Sequence, residues 1–311
     1  MRDEKAMKNG KSPLMSDWRQ TWKRDRVAYG FLIPYAVFFL VFTVLPVVIS
    51  IIYGFTYYNI FQPTKWIWFD NYVRLMTRDS VFPIALQNTL KFAIICGPGG
   101  YILSYLVAWM INEVSSKIRM IFVLICYSPT IAGSIYVVFS VLFSGDAYGY
   151  INSALTEFGI IEKPIEWLTD PNYISTVIII CVLWGSMGAG FLSFVAGFRT
   201  IDTQFYEAAA IDGLKNRWQE LWYVTLPMMK PQLLFGATMS ITSAFSIHQQ
   251  TIALAGYPST EDAVTTIVNL MVDYGYQRFD LGYASAMATV LFLMMLVSRW
   301  LINKLIARTG T

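Results

Sequence analysis

Residue types that could do chemistry are sparse in this chain and poorly placed for catalysis. His248, the only histidine, sits inside an apolar run with no ligand-type neighbours, so neither a metal site nor a nucleophile–base pair can be built on it. Cys96, Cys126 and Cys181 each lie within apolar segments; their odd number and wide spacing suit no disulfide framework or metal site and predict inert thiols. No Gly-x-x-x-x-Gly-Lys-Ser/Thr occurs, and Gly10-Lys11-Ser12 lacks both the first glycine and a preceding strand. No catalytic residue and no metal are therefore expected. Two polar stretches remain as candidates for function: the segment 199–232, and Thr242, Ser246, His248, Gln249 and Gln250 within an otherwise apolar run.

The elements that carry these stretches are membrane spans. Of 311 residues, 56% are hydrophobic and 14% charged, against about a quarter charged in soluble domains. The sequence predicts an all-α membrane protein with six transmembrane helices, near residues 29–53, 88–111, 118–143, 173–198, 233–255 and 282–306. Residues 1–28 form a basic N-terminal tail, with Trp18 and Trp22 as a possible interfacial anchor, and residues 29–311 form the membrane domain. The first apolar stretch is too long for a cleavable signal and is expected to be retained. Lys and Arg concentrate in the tail, in 117–119, in 199–230 and at the C-terminus, whereas the alternate connections are acidic and rich in Trp and Tyr. Both termini and the 199–232 loop are thereby predicted to be cytoplasmic. The basic residues form no aromatic-interleaved patch on a soluble domain, so no nucleic acid partner is expected.

Two spans are expected to be interrupted. Gly97-Pro98-Gly99-Gly100 invites a kink in the second, and the fourth contains Gly185-Ser186-Met187-Gly188-Ala189-Gly190. Such breaks mark substrate paths or, through small residues four apart, close helix packing.

The 199–232 loop predicts two short helices. Phe205–Ile211 are strong helix formers behind Asp202 and Thr203 as N-cap candidates, and Gly213 is placed to end the helix in a left-handed conformation. An amphipathic stretch, residues 217–224, then runs into Leu226-Pro227.

Glu207-Ala208-Ala209-Ala210-Ile211-Asp212-Gly213, Trp218, Val224-Thr225-Leu226-Pro227 and Pro231 resemble the EAA loop of ABC importer permeases. Gly30-Phe31-Leu32-Ile33-Pro34, Leu45-Pro46, Phe69-Asp70-Asn71-Tyr72-Val73, Gln87-Asn88-Thr89-Leu90, Gly197-Phe198-Arg199 and Gly282-Tyr283-Ala284-Ser285-Ala286 extend the resemblance to the maltose-type sugar permeases. Leu214 departs from the family's alanine, and Ala255-Gly256-Tyr257-Pro258 from its Gly-Gly-Pro turn.

The resemblance implies a type I importer bundle in the bacterial inner membrane that moves a carbohydrate or its derivative by alternating access. Implied partners are a second homologous permease subunit, ABC ATPase subunits, an extracellular solute-binding protein and membrane lipid. The chain itself needs no cofactor; ATP and Mg are bound by the partner ATPase. Glu207, Ala208, Ala209, Asp212, Gly213, Leu226 and Pro227 are the residues it assigns to ATPase coupling.

A pore or secondary carrier acting alone is the competing class, disfavoured because the spans are nearly free of ionisable groups apart from Lys91. A membrane-embedded enzyme is disfavoured by the lack of any His, Asp or Glu cluster in the spans. Thr242, Ser246, Gln249 and Gln250, expected along one helical face with His248 beside it, are too costly to leave against lipid, and serve either as interhelical hydrogen-bonding groups or as a substrate path with Phe245 and Tyr257 as aromatic neighbours.

Overall fold

The computed structural model describes residues 26–133 and 135–308, and these are mainly helical. The expected basic tail up to residue 25, with Trp18 and Trp22, lies outside the described residues. Contacts divide the chain into two units at Ile52.

In the first unit, α1 (Arg26–Phe39) passes through a π-helical turn (Leu40–Val44) into α2 (Leu45–Tyr53). The turn closes with Leu45 N–H on the Leu40 carbonyl, directly ahead of Pro46. Proline has no N–H to give and its ring crowds the preceding turn, so a wider turn just before it relieves the clash.

The second unit begins with a short antiparallel hairpin, β1 (Thr56–Tyr57) with β2 (Lys65–Trp66), and α3 (Asp70–Thr77). Asn71 pins the hairpin by donating to the carbonyls of Gly54 and Thr56 at 3.0 and 2.9 Å. The bundle is built on α4 (Phe82–Asn112), followed by α5 (Ser116–Ala132), α6 (Ile135–Leu142), α7 (Tyr150–Glu157), α8 (Pro171–Trp184) and α9 (Ala189–Thr200). The 199–232 loop carries α10 (Thr203–Ile211), α11 (Arg217–Glu220) and α12 (Leu226–Met228), and α13 (Lys230–Phe245), α14 (Gln249–Ala255), α15 (Ile267–Val272) and α16 (Leu281–Arg308) follow. The connection carrying α7 closes around one side chain: Asn152 donates to the carbonyls of Ser144, Asp146 and Ile165 and accepts from Ile165 N and Trp167 Nε1.

Three apolar clusters form the core. One joins α4, α13, α15 and α16 around Phe82, Phe245 and Tyr283; a second joins α4, α6, α8 and α14 around Phe92 and Ile178. The third, around Tyr105, Phe194, Phe198 and Met229, lies beneath the 199–232 loop.

Four helices among the described residues are long and apolar enough to cross a membrane: Tyr29–Tyr53, Phe82–Asn112, Pro171–Thr200 and Leu281–Lys304. The other two expected spans are not single helices. The third is a pair, Ser116–Ile131 and Ile135–Leu142, bent by 89° past Pro129 and at left-handed Gly133. The fifth divides at Ser246–His248 into α13 and α14, so the expectation of one polar helical face running from Thr242 to Gln250 is corrected.

The expected interruption of the second span is also corrected, because α4 runs unbroken through Pro98. Pro98 forfeits only the bond to the Ile94 carbonyl. The flanking glycines admit neighbours instead: a Cβ at Gly97 would meet Ala244 Cβ at 3.6 Å, and one at Gly100 would meet Ser186 Cβ at 2.9 Å. The fourth span is interrupted at residues 185–188 as expected. There Gly190 lies against Gly236 of α13, and a Cβ on Gly236 would overlap the Phe194 ring.

Candidate functional site: the 199–232 loop and a polar cavity

Helix α10 starts where its sequence says it should, with the Asp202 carboxylate accepting Gln204 N–H at 3.0 Å. It ends in a Schellman turn. Leu214 N–H bonds the Ala209 carbonyl at 3.1 Å and Gly213 N–H the Ala210 carbonyl at 3.2 Å, while Gly213 takes φ +97°, which only glycine adopts without strain. Asn216 then caps α11 by accepting Gln219 N–H at 2.9 Å.

The amphipathic stretch after Asn216 is only partly α-helical, because Leu221–Thr225 form a π turn closed by Leu226 N–H on the Leu221 carbonyl. This is the second Leu-Pro pair preceded by such a turn, Pro227 playing the part of Pro46. The shared cause is the missing proline donor, which sets the angle at which the chain enters α13.

Burial, hydrogen bonds within the loop and an ion pair to the end of α4 hold the loop in shape. Ala209 is buried. Thr225 Oγ1 donates to the Glu220 carbonyl at 3.2 Å, so the Tyr206 hydroxyl, 3.0 Å away, must donate to Thr225. Arg217 bridges Glu220 at 2.8 Å and Glu113 at the end of α4 at 3.4 Å, beside Trp109 and Trp218, whose rings lie 5.1 Å apart. The Glu220 hydrogen bond first, then the Glu113 charge, favours the charged guanidinium.

The remaining surface of the loop is open. Glu207, Ala208, Asp212, Gly213 and Pro227 are exposed, and Leu226 is half-buried. Large apolar side chains are exposed beside them: Ile211 at 88%, Tyr223 at 73% and Trp222 at 62%. Trp222 and Tyr223 were invisible to motif reading, since only their position in a π turn turns them outward together.

The second candidate region is a cavity of about 430 Å³ bounded by α4, the α5–α6 bend, the α8–α9 break, α13 and α14. Gln249 and Gln250 line it, joined by Tyr101, Tyr136, Ser240 and Ser243. Thr242, Ser246 and His248 do not. Thr242 Oγ1 donates to the Thr238 carbonyl at 2.9 Å, Ser246 lies in the helix break, and His248 is the N-cap residue of α14 with Nδ1 3.2 Å from the Ser246 carbonyl. Phe245, expected as an aromatic neighbour of the path, is instead buried in the core with Ile241 and Tyr283. Tyr101 and Tyr136 supply the aromatic faces; the pairing of Ser240 with Ser243 one helical turn on was the available signal. No group of three or more metal-ligating side chains occurs among the described residues.

Comparison with known proteins agrees with this geometry. The chain is 30% identical to the probable ABC transporter permease protein YesP of Bacillus subtilis, over 96% of this chain and 94% of that one. It is 32% identical to the lactose transport system permease protein LacF of Rhizobium radiobacter, over 74% and 78% of the two chains. Among solved structures, a chain of a bacterial ABC transporter involved in import of the acidic polysaccharide alginate superposes with TM-score 0.76 at 26% identity, covering 95% of this chain and 100% of that one. The fold is accordingly that of a type I ABC permease. Residues 100–310, which include the whole 199–232 loop and nearly all of the cavity wall, match one family throughout, and the chain belongs to it: the binding-protein-dependent transport system inner membrane components.

Proposed function

We propose that this chain is the permease subunit of an ATP-driven importer for a carbohydrate or carbohydrate derivative. The observation that carries the reading is the 199–232 loop: a short helix ended at Gly213, tied to α4 and α13 on one side and presenting Glu207, Ile211, Trp222 and Tyr223 on the other. Such an element receives force. An ATPase subunit docking on the exposed side would move the ends of α4 and α13, the two helices that flank the cavity, and so alternate its access between the two sides of the membrane. Glu207, Ala208, Ala209, Asp212, Gly213, Leu226 and Pro227 form this coupling element in our reading, with ATP and Mg held by the partner.

The cavity supports a sugar substrate, since glutamine amides, serine and tyrosine hydroxyls and aromatic faces converge in it without any charged group. Relatives point the same way through their printed roles in lactose and arabinooligosaccharide transport, and one solved relative is shown with an alginate pentasaccharide-bound periplasmic protein. A second permease subunit, a pair of ATPase subunits and a solute-binding protein complete the assembly. The Lys and Arg asymmetry supports cytoplasmic termini and a cytoplasmic coupling loop.

Reconstitution tests the proposal directly. Sugar uptake into vesicles should require the ATPase subunits, ATP and the binding protein together; uptake by the permease chains alone would sink it.

A further inference from the structure

The break between α13 and α14 leaves the Ile247 carbonyl without a helical partner, and a buried hydroxyl takes it up. Thr266 Oγ1 donates to the Ile247 carbonyl at 2.9 Å and Thr251 Oγ1 to the His248 carbonyl at 2.7 Å. A hydroxyl has one proton. With the Thr251 proton on a carbonyl, Asn269 Nδ2 donates to Thr251 Oγ1 at 3.0 Å, while Thr266 Oγ1 accepts Asn269 N–H at 3.4 Å and its one proton serves either the Ile247 carbonyl or Asn269 Oδ1. Thr266 and Asn269 thereby cap α15 reciprocally. Thr89 of α4 extends the network, accepting Ile267 N–H at 3.0 Å and donating to the Ala85 carbonyl at 2.7 Å. All four side chains are buried to within 2% of completely.

None of these four residues lines the cavity. They act one step behind it. From α15, Thr266 satisfies the Ile247 carbonyl that the break exposes and Asn269 holds Thr251 in the first turn of α14, and together they fix where α14 begins and where Gln249 and Gln250 stand. We propose that Thr266, Asn269 and Thr251 are positioning residues that hold the Gln249–Gln250 turn against the cavity and thereby set which solutes it accepts. The selectivity half of this inference rests on the cavity being the translocation path.

The test uses the full importer in membranes, with Cys96, Cys126 and Cys181 replaced by alanine and Gln250→Cys as the reporter. Labelling by a cationic methanethiosulfonate reads the position of the turn whether or not sugar binds there. Thr266→Ser, which keeps the hydroxyl, should label within about twofold of the parent, and Thr266→Val should change the rate about tenfold, as expected for a buried carbonyl left unsatisfied. Equal rates in the valine variant and the parent would overturn the proposal, as would a serine variant shifted as far as valine, because packing rather than the hydroxyl would then be responsible. Should Thr266→Val not accumulate, Thr251→Val against Thr251→Ser tests the same positioning through the buried Asn269 Nδ2, which valine leaves without its acceptor. Separately, Gln250→Ala should alter uptake of sugars of different length; unchanged uptake would sink the path reading and the selectivity half with it, while labelling alone decides the positioning half.

Discussion

Replacing Gly213 by valine isolates the backbone of the coupling turn. A Cβ at this position would meet nothing within 4 Å, so no collision accompanies the change, and the whole effect comes from φ +97°. Holding an L-residue in the left-handed region costs about 1–2 kcal/mol. The less flexible unfolded chain returns up to about 1 kcal/mol of this in stability, but that return is common to every conformation of the folded loop. The two Schellman bonds and the Tyr206–Thr225 hydrogen bond are already made with glycine, so they offset none of the change. The equilibrium between the native turn and its alternatives therefore shifts about 5- to 30-fold away from the native turn, within a complex that still assembles. Binding-protein-stimulated ATP hydrolysis and sugar uptake, measured at matched amounts of complex, should fall together by up to that factor. Gly213→Asn should lose less, within about threefold, because asparagine enters the left-handed region more readily. Full coupled activity in the valine variant would refute the reasoning, and so would an asparagine variant as impaired as valine.

Other consequences are open to simpler measurements. Thiols introduced by Tyr148→Cys and Glu162→Cys should react with an impermeant reagent in intact cells while Lys215→Cys should not; the opposite pattern would invert the topology. Gln249→Ala should change uptake selectivity while Thr242→Ala should not, because only the former lines the cavity, and equal effects would dissolve that distinction. Gly236→Ala drives a methyl into the Phe194 ring and should lower thermal stability of the solubilised complex by about 1–3 kcal/mol, with no shift expected if α9 and α13 can separate freely. Glu113→Gln removes one half of an ion pair whose partners are 47% and 65% exposed, so its stability effect should stay below about 1 kcal/mol; a larger loss would mean the pair is shielded in the assembled importer.

The coupling loop was legible from its residues because its signals are local. Asp202, the alanine run and Gly213 act within four positions of themselves, and each is found capping, forming or ending the helix to which its type assigns it. The membrane helices were legible as apolar length but not as continuity. Pro98 looked like an interruption, yet α4 is continuous through it, while the fifth span looked continuous and is divided. The carbonyl freed at the division is taken by Thr266, on the far side of a connection, and no periodicity within residues 233–255 registers it. The cavity wall was partly legible for the related reason that Gln249 and Gln250 are conspicuous in an apolar run, whereas Tyr101 and Tyr136 become cavity residues only when α4 and α6 are brought together.

The knot of hydrogen bonds on Asn152 bears on how the protein is made. Every one of its partners lies within 15 residues in sequence, so the hydrogen bonds that shape the connection between α6 and α8 all close inside it. Loops of this length close in about 10–100 ns, far faster than a ribosome adds residues at about 5–20 per second. The segment can therefore fold as soon as its last strand of sequence has emerged into water, before α13 and α16 exist. Once folded, it would resist sliding back through a translocation channel, acting as a ratchet that commits the helices on either side of it to their orientation.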